Sequence, residues 1–506
     1  MLTRLRLPSS LSPRRREPAP GPLAAHLREA YAALAADLPE KYPPAALADA
    51  EAAVAELGSD PSAVGRDGIE TERADLREIP FVTIDPEGAT DLDQAMHLEA
   101  LDAAEDGAAF RVRYAIADVG RFITPGGPLD AETHARGQTI YLPDRRIPLH
   151  PEVISEGAAS LLPGEDRAAY VFTVELAADG TIVSQDLMRA VVRSRAQLDY
   201  DTVQADADAG RPLPEAMAAL PAIGAALKAD EIARGGIDLA IPDQEVTETN
   251  GDYTLAYRPR QGIEDDNAQI SLLAGRVAAD FMLRAGHGVL RTMPRPDEET
   301  IEAFLAIVTG LGFDAAAPYQ DVIRSIGHQE RNPRALAVHY ASPSLFRGAG
   351  YTLIGAETGE DELLQAAVGA PYAHTTAPLR RLVDRYVLPI AEAACREADA
   401  PAWALDGLPA LPEVMKETGR LAGQIDKQVI EYTEAILLAE RTGEVFDGVV
   451  VGSRTTKDGT ALVEVHVPEP AVVVWAAGRA PVGEPVQIRL RSAEPETGKL
   501  FFDVVS

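Results

Sequence analysis

A single cysteine, Cys395, stands in 506 residues, which excludes an intrachain disulfide framework and cysteine-based zinc centres. Long apolar runs are also missing, and no stretch approaches the roughly 20 residues that a membrane span needs. The start of the chain is rich in Arg and Pro but lacks the hydrophobic segment of a secretory signal. These absences point to a cytoplasmic protein that does not enter a membrane. Basic charge is in deficit: 47 Lys and Arg face 79 Asp and Glu, for a net charge of −32. That excludes a broad basic coat for polyanions, but leaves room for a narrow, locally basic channel. The length allows one large domain and one or two small modules.

The most informative stretch is Ile79 to Ala95, IPFVTIDPEGATDLDQA. Phe81-Val82-Thr83-Ile84 has the β-branched content of a buried strand. It ends at Asp85, a Pro-Glu-Gly turn signal follows, and Asp91 and Asp93 come next with Leu92 between them. Carboxylates at i and i+2 of an extended chain point the same way. Three converging carboxylates repel one another unless a cation neutralises them. Hard oxygen donors without His or Cys favour Mg²⁺ or Mn²⁺ over Zn²⁺. In a chain this acidic, the spacing by itself favours a solvated acidic loop.

The segment TIDPEGATDLDQA resembles the signature of the ribonuclease II/R (RNB) family of exoribonucleases, TID followed by a short turn and D-x-D-D-A. Gln94 stands where the family has its fourth aspartate. The resemblance continues in RGQTIYLPDRRIP (Arg136 to Pro148) and HPEVISEGAASL (His150 to Leu161), and in GAPYAHTTAPLRRLVDRY (Gly369 to Tyr386), similar to the family's Y-x-H-F-T-S-P-I-R-R-Y. Three separated motifs in the family's order extend the resemblance over about Glu72 to Ser506. It implies metal ligands at Asp85, Asp91, Asp93 and Gln94, with Asp93 and Arg380 as catalytic residues. It also implies an RNA path along Tyr141, Tyr200, His374, Thr375, Arg380 and Arg381. For Tyr141 the residue pattern alone admits a core tyrosine equally, and the motif favours stacking on a base. Arg381 is equally a structural partner of Asp384, whereas Pro378 suits the first position of a helix whose N-terminus would hold phosphate.

Other matching positions depart from the family. Leu239 aligns with an aromatic clamp, Ala268 and Gln269 with paired glutamates, and Asp426 with a helical glutamate. Gln269 and Asp426, with Asp118, are candidates for a supporting role around the site.

Flanking regions complete the plan. Residues 1–22 read as a flexible arm. Residues 23–70 read as a small helical accessory module the size of a helix-turn-helix, with Leu27, Tyr31 and Leu34 at helical spacing, Gly58 capping a second helix and Asp60-Pro61 opening a third. Residues 71–442 form the RNB-type catalytic domain, ending in a long helix from about Glu413 to Arg441. Residues 443–506 carry five short β-rich runs, the pattern of an OB barrel, with Phe446 and Trp475 as its candidate base-binding aromatics. The fold class expected is therefore α+β, a large mixed catalytic domain between a helical module and a β-barrel. The resemblance implies a 3′-to-5′ exoribonuclease, a hydrolase releasing nucleoside 5′-monophosphates from single-stranded RNA, acting as a monomer with Mg²⁺ or Mn²⁺. The alternative is an RNA-binding protein that kept the channel and lost the chemistry, for which Gln94, Gln269 and Asp426 speak.

Overall fold

The computed structural model describes residues 22–70, 72–102, 107–239, 243–249, 252–258, 261–327 and 332–505. The expected N-terminal arm lies outside these, save its last residue. The central sheet is built from β1 (Ala74–Asp75), β2 (Phe81–Asp85), β3 (Gln94–Ala100), β4 (Phe110–Ala117), β7 (Asp166–Leu176) and β8 (Ile182–Asp199), with β5 (Ile140–Leu142) and β6 (Arg145–Ile147) forming a separate hairpin. The order is β1-β8-β2-β3-β4-β7. The 18-residue β8 serves two neighbours in turn. Its first part runs antiparallel to β7 and its end runs parallel to β2, so the ladder returns on itself.

The two faces of the sheet differ in bulk. Val82, Met96, Val112, Tyr114 and Ile116 point into the largest core cluster, against helices Leu220–Ala233, Gly262–Ala285 and Leu382–Cys395. The alternate positions include many alanines, Ala95, Ala115, Ala117, Ala169 and Ala190, alongside Phe81, Val171 and Val192, and cluster with Ala50, Ala53 and Leu57 of the Ala-rich helix Pro44–Leu57. Period-two alternation thus divides the strands between two cores. The helix Gly262–Ala285 ends where Gly286 adopts φ +76, returning its N–H to the Leu283 and Met282 carbonyls, a conformation glycine takes without cost.

The C-terminal strands Val445–Thr455, Ala461–Val467, Val472–Ala477, Pro485–Glu494 and Lys499–Val504 close into a barrel, as their alternation predicts. The long helix runs Leu411–Leu438. Its Ile425, Val429 and Ile436 share one core cluster with the barrel's Val450, Val465 and Ile488, and with Leu27 and Tyr31 of helix Pro22–Ala35. Phe446 belongs to that core, packed edge-on against Phe502. The expectation that it faces RNA is therefore corrected: its position on the strand points inward. Trp475 remains partly exposed, with the Arg454 guanidinium 4.0 Å over its ring.

Differences also appear at the N-terminus. The two helices occupy separate seats. Pro22–Ala35 lies on the long helix, where the Tyr31 and Thr433 hydroxyls share a 2.7 Å hydrogen bond, and Pro44–Leu57 lies on the small-residue face of the sheet. Asp60-Pro61 opens a turn rather than a third helix, with Asp60 accepting from the Ser62 N–H. Gly58 closes the second helix in ordinary right-handed conformation.

Candidate active site

β2 carries Asp85 to its last position, directly beside Asp199 of β8, after which Tyr200 opens a helix. The turn that follows needs Gly88 at φ +79. Ser160 then fixes the acidic loop: its Oγ donates to the Thr90 carbonyl (2.7 Å) and accepts from the Leu92 N–H (3.0 Å).

Asp93 meets the third motif here. Its Oδ1 accepts from the Leu379 N–H (2.8 Å) and its Oδ2 from Arg380 Nε (3.2 Å). Burial pushes the Asp93 carboxyl up to about 7 against the pull of Arg380. The Arg380 side chain keeps 33% exposure, enough to face a ligand. The turn presenting it is braced by His150, which is wholly buried and donates from Nδ1 to the Leu379 carbonyl (3.0 Å). Burial lowers His150 to about 4, so it is neutral. Asp384, also fully buried, accepts from the Ala377 N–H and from Arg381, each at 2.8 Å. Arg381 is thus the structural partner of Asp384.

The expected helix start at Pro378 is corrected. The helix begins at Leu382, with Arg381 extended before it (φ −134, ψ 126). The cause is competition for backbone groups. The Thr139 N–H donates to the Arg380 carbonyl and the Leu382 N–H to the Gly137 carbonyl, so this stretch pairs with its neighbour before turning helical.

Gln94, expected among the metal ligands, is held at both ends of its amide. Its Oε1 accepts from the Tyr114 hydroxyl (2.6 Å), and its Nε2 donates to the Thr376 carbonyl. It stitches the sheet to the third motif, a link that a carboxylate could not make because it has no donor.

Asp91 turns to a residue that sequence reasoning missed. Arg146 lies directly across the hairpin from Tyr141 and donates to Asp91 Oδ1 (2.7 Å) and Thr90 Oγ1 (2.8 Å), with Glu156 as a further partner. The Arg145-Arg146 pair within RGQTIYLPDRRIP was the available signal. Tyr141 itself is only partly covered. Burial raises its phenol above the ordinary value, and the charge of Asp91 adds to this.

The remaining expected residues divide. Tyr200 is half-buried, and its hydroxyl accepts from Asn267 Nδ2 (2.7 Å). His374 shares a 2.7 Å hydrogen bond with the Tyr351 hydroxyl and stands edge-on to Tyr372. Thr375 is wholly buried, and among the described residues its hydroxyl has no hydrogen-bond partner. Tyr372 presses so close to Gly275 that a Cβ there would fall 2.1 Å from its ring, which explains glycine at that helix position. Gln269 donates to Glu231 (2.7 Å). Asp118 is buried and paired with Arg73 (2.6 Å) and Arg189 (3.0 Å), a structural role apart from Asp93. Burial raises Asp426 to about 6. Leu239 packs beside the cluster containing Phe304 and Val308.

Asp85, Asp91 and Asp93 offer the hard oxygen donors that Mg²⁺ or Mn²⁺ prefers. Among the described residues no three His, Cys, Asp or Glu side chains stand close enough together to hold a metal. Two of the three aspartates rest instead on guanidiniums, Asp91 on Arg146 and Asp93 on Arg380.

This geometry joins motifs that lie 286 residues apart in the chain, and comparison with known proteins accounts for it. Residues 73–397 match the RNB domain, more than half of the chain, and residues 444–505 match the RNase II-type exonuclease C-terminal S1 domain. The chain belongs to the RNB family. A curated relative, Ribonuclease R of Aquifex aeolicus, is 29% identical over 443 residues, covering 82% of this chain and 59% of its own. The chain therefore spans little more than half the length of that relative. The RNB fold recurs in Mycoplasma genitalium RNase R in complex with ribose methylated single-stranded RNA (TM-score 0.74, 17% identity, 91% of this chain and 78% of that one). It also recurs in yeast Ssd1, described as a pseudonuclease (TM-score 0.63, 15% identity, 85% and 55%). Among the described residues no helix of this RNB protein is long and apolar enough to cross a membrane.

Proposed function

We propose that this protein is a 3′-to-5′ exoribonuclease that hydrolyses single-stranded RNA to nucleoside 5′-monophosphates, acting as a cytoplasmic monomer. The observation that carries the reading is the pairing of Asp93 with the Leu379 N–H and Arg380 inside an RNB domain. It joins a buried acid to a partly exposed cation at the place where the family's motifs converge.

In this reading a water oxygen bonds to the terminal phosphorus as the P–O3′ bond breaks. The new RNA end keeps the 3′ hydroxyl and the mononucleotide leaves with its 5′-phosphate. Arg380 places its guanidinium on the phosphate and offsets charge that grows in the transition state. His150 and Asp384 hold the turn that aims it. Tyr141 stacks on a base farther along the strand, and Tyr200, fixed by Asn267, supports the terminal nucleotide. A divalent ion, Mg²⁺ or Mn²⁺, held by Asp85, Asp91 and Asp93 would supply Lewis acidity toward the phosphate. Trp475 with Arg454 offers a stacking contact on the barrel.

The second reading, an RNA-binding protein without chemistry, draws on the engagement of Gln94 at both ends. End-labelled single-stranded RNA separates the two, incubated with Mg²⁺ or Mn²⁺ and then with chelator. Stepwise loss of 5′-monophosphates, abolished by chelator and by Asp93→Asn with RNA binding retained, is the expected result. RNA bound but uncut under every metal condition would decide for the second reading.

A further inference from the structure

A small cavity borders the turn that carries Arg380. It is lined by Pro378 of that turn, by Asp67 from the segment after helix Pro44–Leu57, and by Gly120 just beyond β4. Arg385 of helix Leu382–Cys395 and Trp403 of helix Ala402–Gly407 complete its polar wall. The room for a water centre is about 10 Å³, the space of a single molecule. Three polar atoms of this lining are buried and have no hydrogen-bond partner among the described residues: Asp67 Oδ2, Arg385 Nε and Trp403 Nε1. Asp67 keeps only 5% exposure and Arg385 only 3%.

The three side chains stand together. A Cβ built on Gly120 would lie 3.5 Å from Arg385 Cγ and 3.9 Å from Asp67 Oδ2, and the Arg385 guanidinium lies 5.6 Å from the centre of the Trp403 ring. Their other polar atoms are engaged elsewhere. Asp67 Oδ1 accepts from the Ile69 N–H (3.2 Å), and Oδ2 stands 3.5 Å from Arg189, an ion pair without a hydrogen bond. Arg385 donates through its outer nitrogens to Asp130 and to the Tyr386 hydroxyl. The chemistry of the wall selects the occupant. An anion would meet the Asp67 carboxylate and a cation the Arg385 guanidinium, while an apolar group would leave all three atoms unpaired. Water accepts from two donors and still donates to a carboxylate.

We propose that this cavity is a binding site for one water molecule, which accepts from Arg385 Nε and Trp403 Nε1 and donates to Asp67 Oδ2. The water joins the segment after the second helix to the two helices that follow the third motif.

Gly120 supplies the test. Its φ is not positive, so a side chain is tolerated, and the contacts of an added Cβ are of ordinary length. Were the cavity empty, Gly120→Ala would fill it and stiffen the unfolded chain, and the melting temperature would rise. Where the cavity holds water, the methyl expels it and leaves three buried polar atoms unpaired. The melting temperature of the full-length protein should then fall, by about 2 °C in a chain of this size. Gly120→Ser, whose hydroxyl takes the place of the water beside Asp67, should stay near wild type. A high-resolution crystal structure of the wild type should show one density peak within hydrogen-bond distance of all three atoms, and it decides the matter should Gly120→Ala not fold. An empty cavity in that structure overturns the proposal. So does a melting temperature that is unchanged or raised in Gly120→Ala, or that falls equally in the Ala and Ser variants.

Discussion

Restoring the family's aspartate at position 94 should harm the metal-free protein. Gln94 accepts from Tyr114 and donates to the Thr376 carbonyl, and Thr376 is itself buried. Gln94→Asp shortens the side chain by one methylene and removes the donor. The carbonyl loses its partner, and a buried group left without one costs roughly 1–3 kcal/mol. The new carboxylate also joins Asp85, Asp91 and Asp93 and adds like-charge repulsion. A total near 2 kcal/mol corresponds to a fall of about 2 °C in a chain of this size. Calorimetry or fluorimetry in chelator gives the first reading, and the same melt with added Mn²⁺ gives the second. Metal should recover part of the loss, because the extra carboxylate is then neutralised. An unchanged melting temperature in chelator would show that the link from Gln94 to Thr376 does not hold the third motif in place.

Two further outcomes follow from other parts of the structure. Tyr141→Ala should shift the length of the final RNA product while leaving stepwise cleavage in place, since short products leave once they no longer reach the stacking residue; an unchanged product ladder from a folded variant returns Tyr141 to packing. Glu434 is buried, accepts from Gln244 at 2.9 Å, and is pushed by burial from 4.5 up to about 8. Because the unfolded chain releases this proton first, stability should fall as pH rises from about 4.5 to 8, by at most about 5 kcal/mol. Glu434→Gln should flatten that part of the pH–melting profile, and equal slopes in the two proteins would refute it.

What could be read from the sequence follows from how local each cause is. The strand ending at Asp85 and the barrel strands declare themselves through β-branched runs and period-two alternation. The long helix does so through the spacing of Ile425, Val429 and Ile436. The meeting of Asp93 with Arg380 was legible only through motif resemblance, because no local pattern links residues so far apart. The role of Gln94 was not legible, since its partner Thr376 lies 282 residues away. The helix start at Leu382 depended on Gly137 claiming the Leu382 N–H, a competitor that capping rules cannot see. Phe446 was misplaced because alternation along a strand fixes which residues share a face but not which face points inward. Arg146 was overlooked because a pair of arginines beside a turn is most often surface.

The hydrogen bond between Tyr31 and Thr433 spans 402 residues, and that separation is also an interval of time. At about 5–20 residues per second, a ribosome making this chain needs roughly 20–80 s between the two. For that interval the first helix has no long helix to lie on, and Leu27, Tyr31 and Ala35, all buried in the finished protein, stay uncovered. The nascent chain therefore carries an adhesive segment until the long helix emerges. Slowing translation between the two helices should lower the yield of soluble protein without altering the stability of molecules that complete the fold.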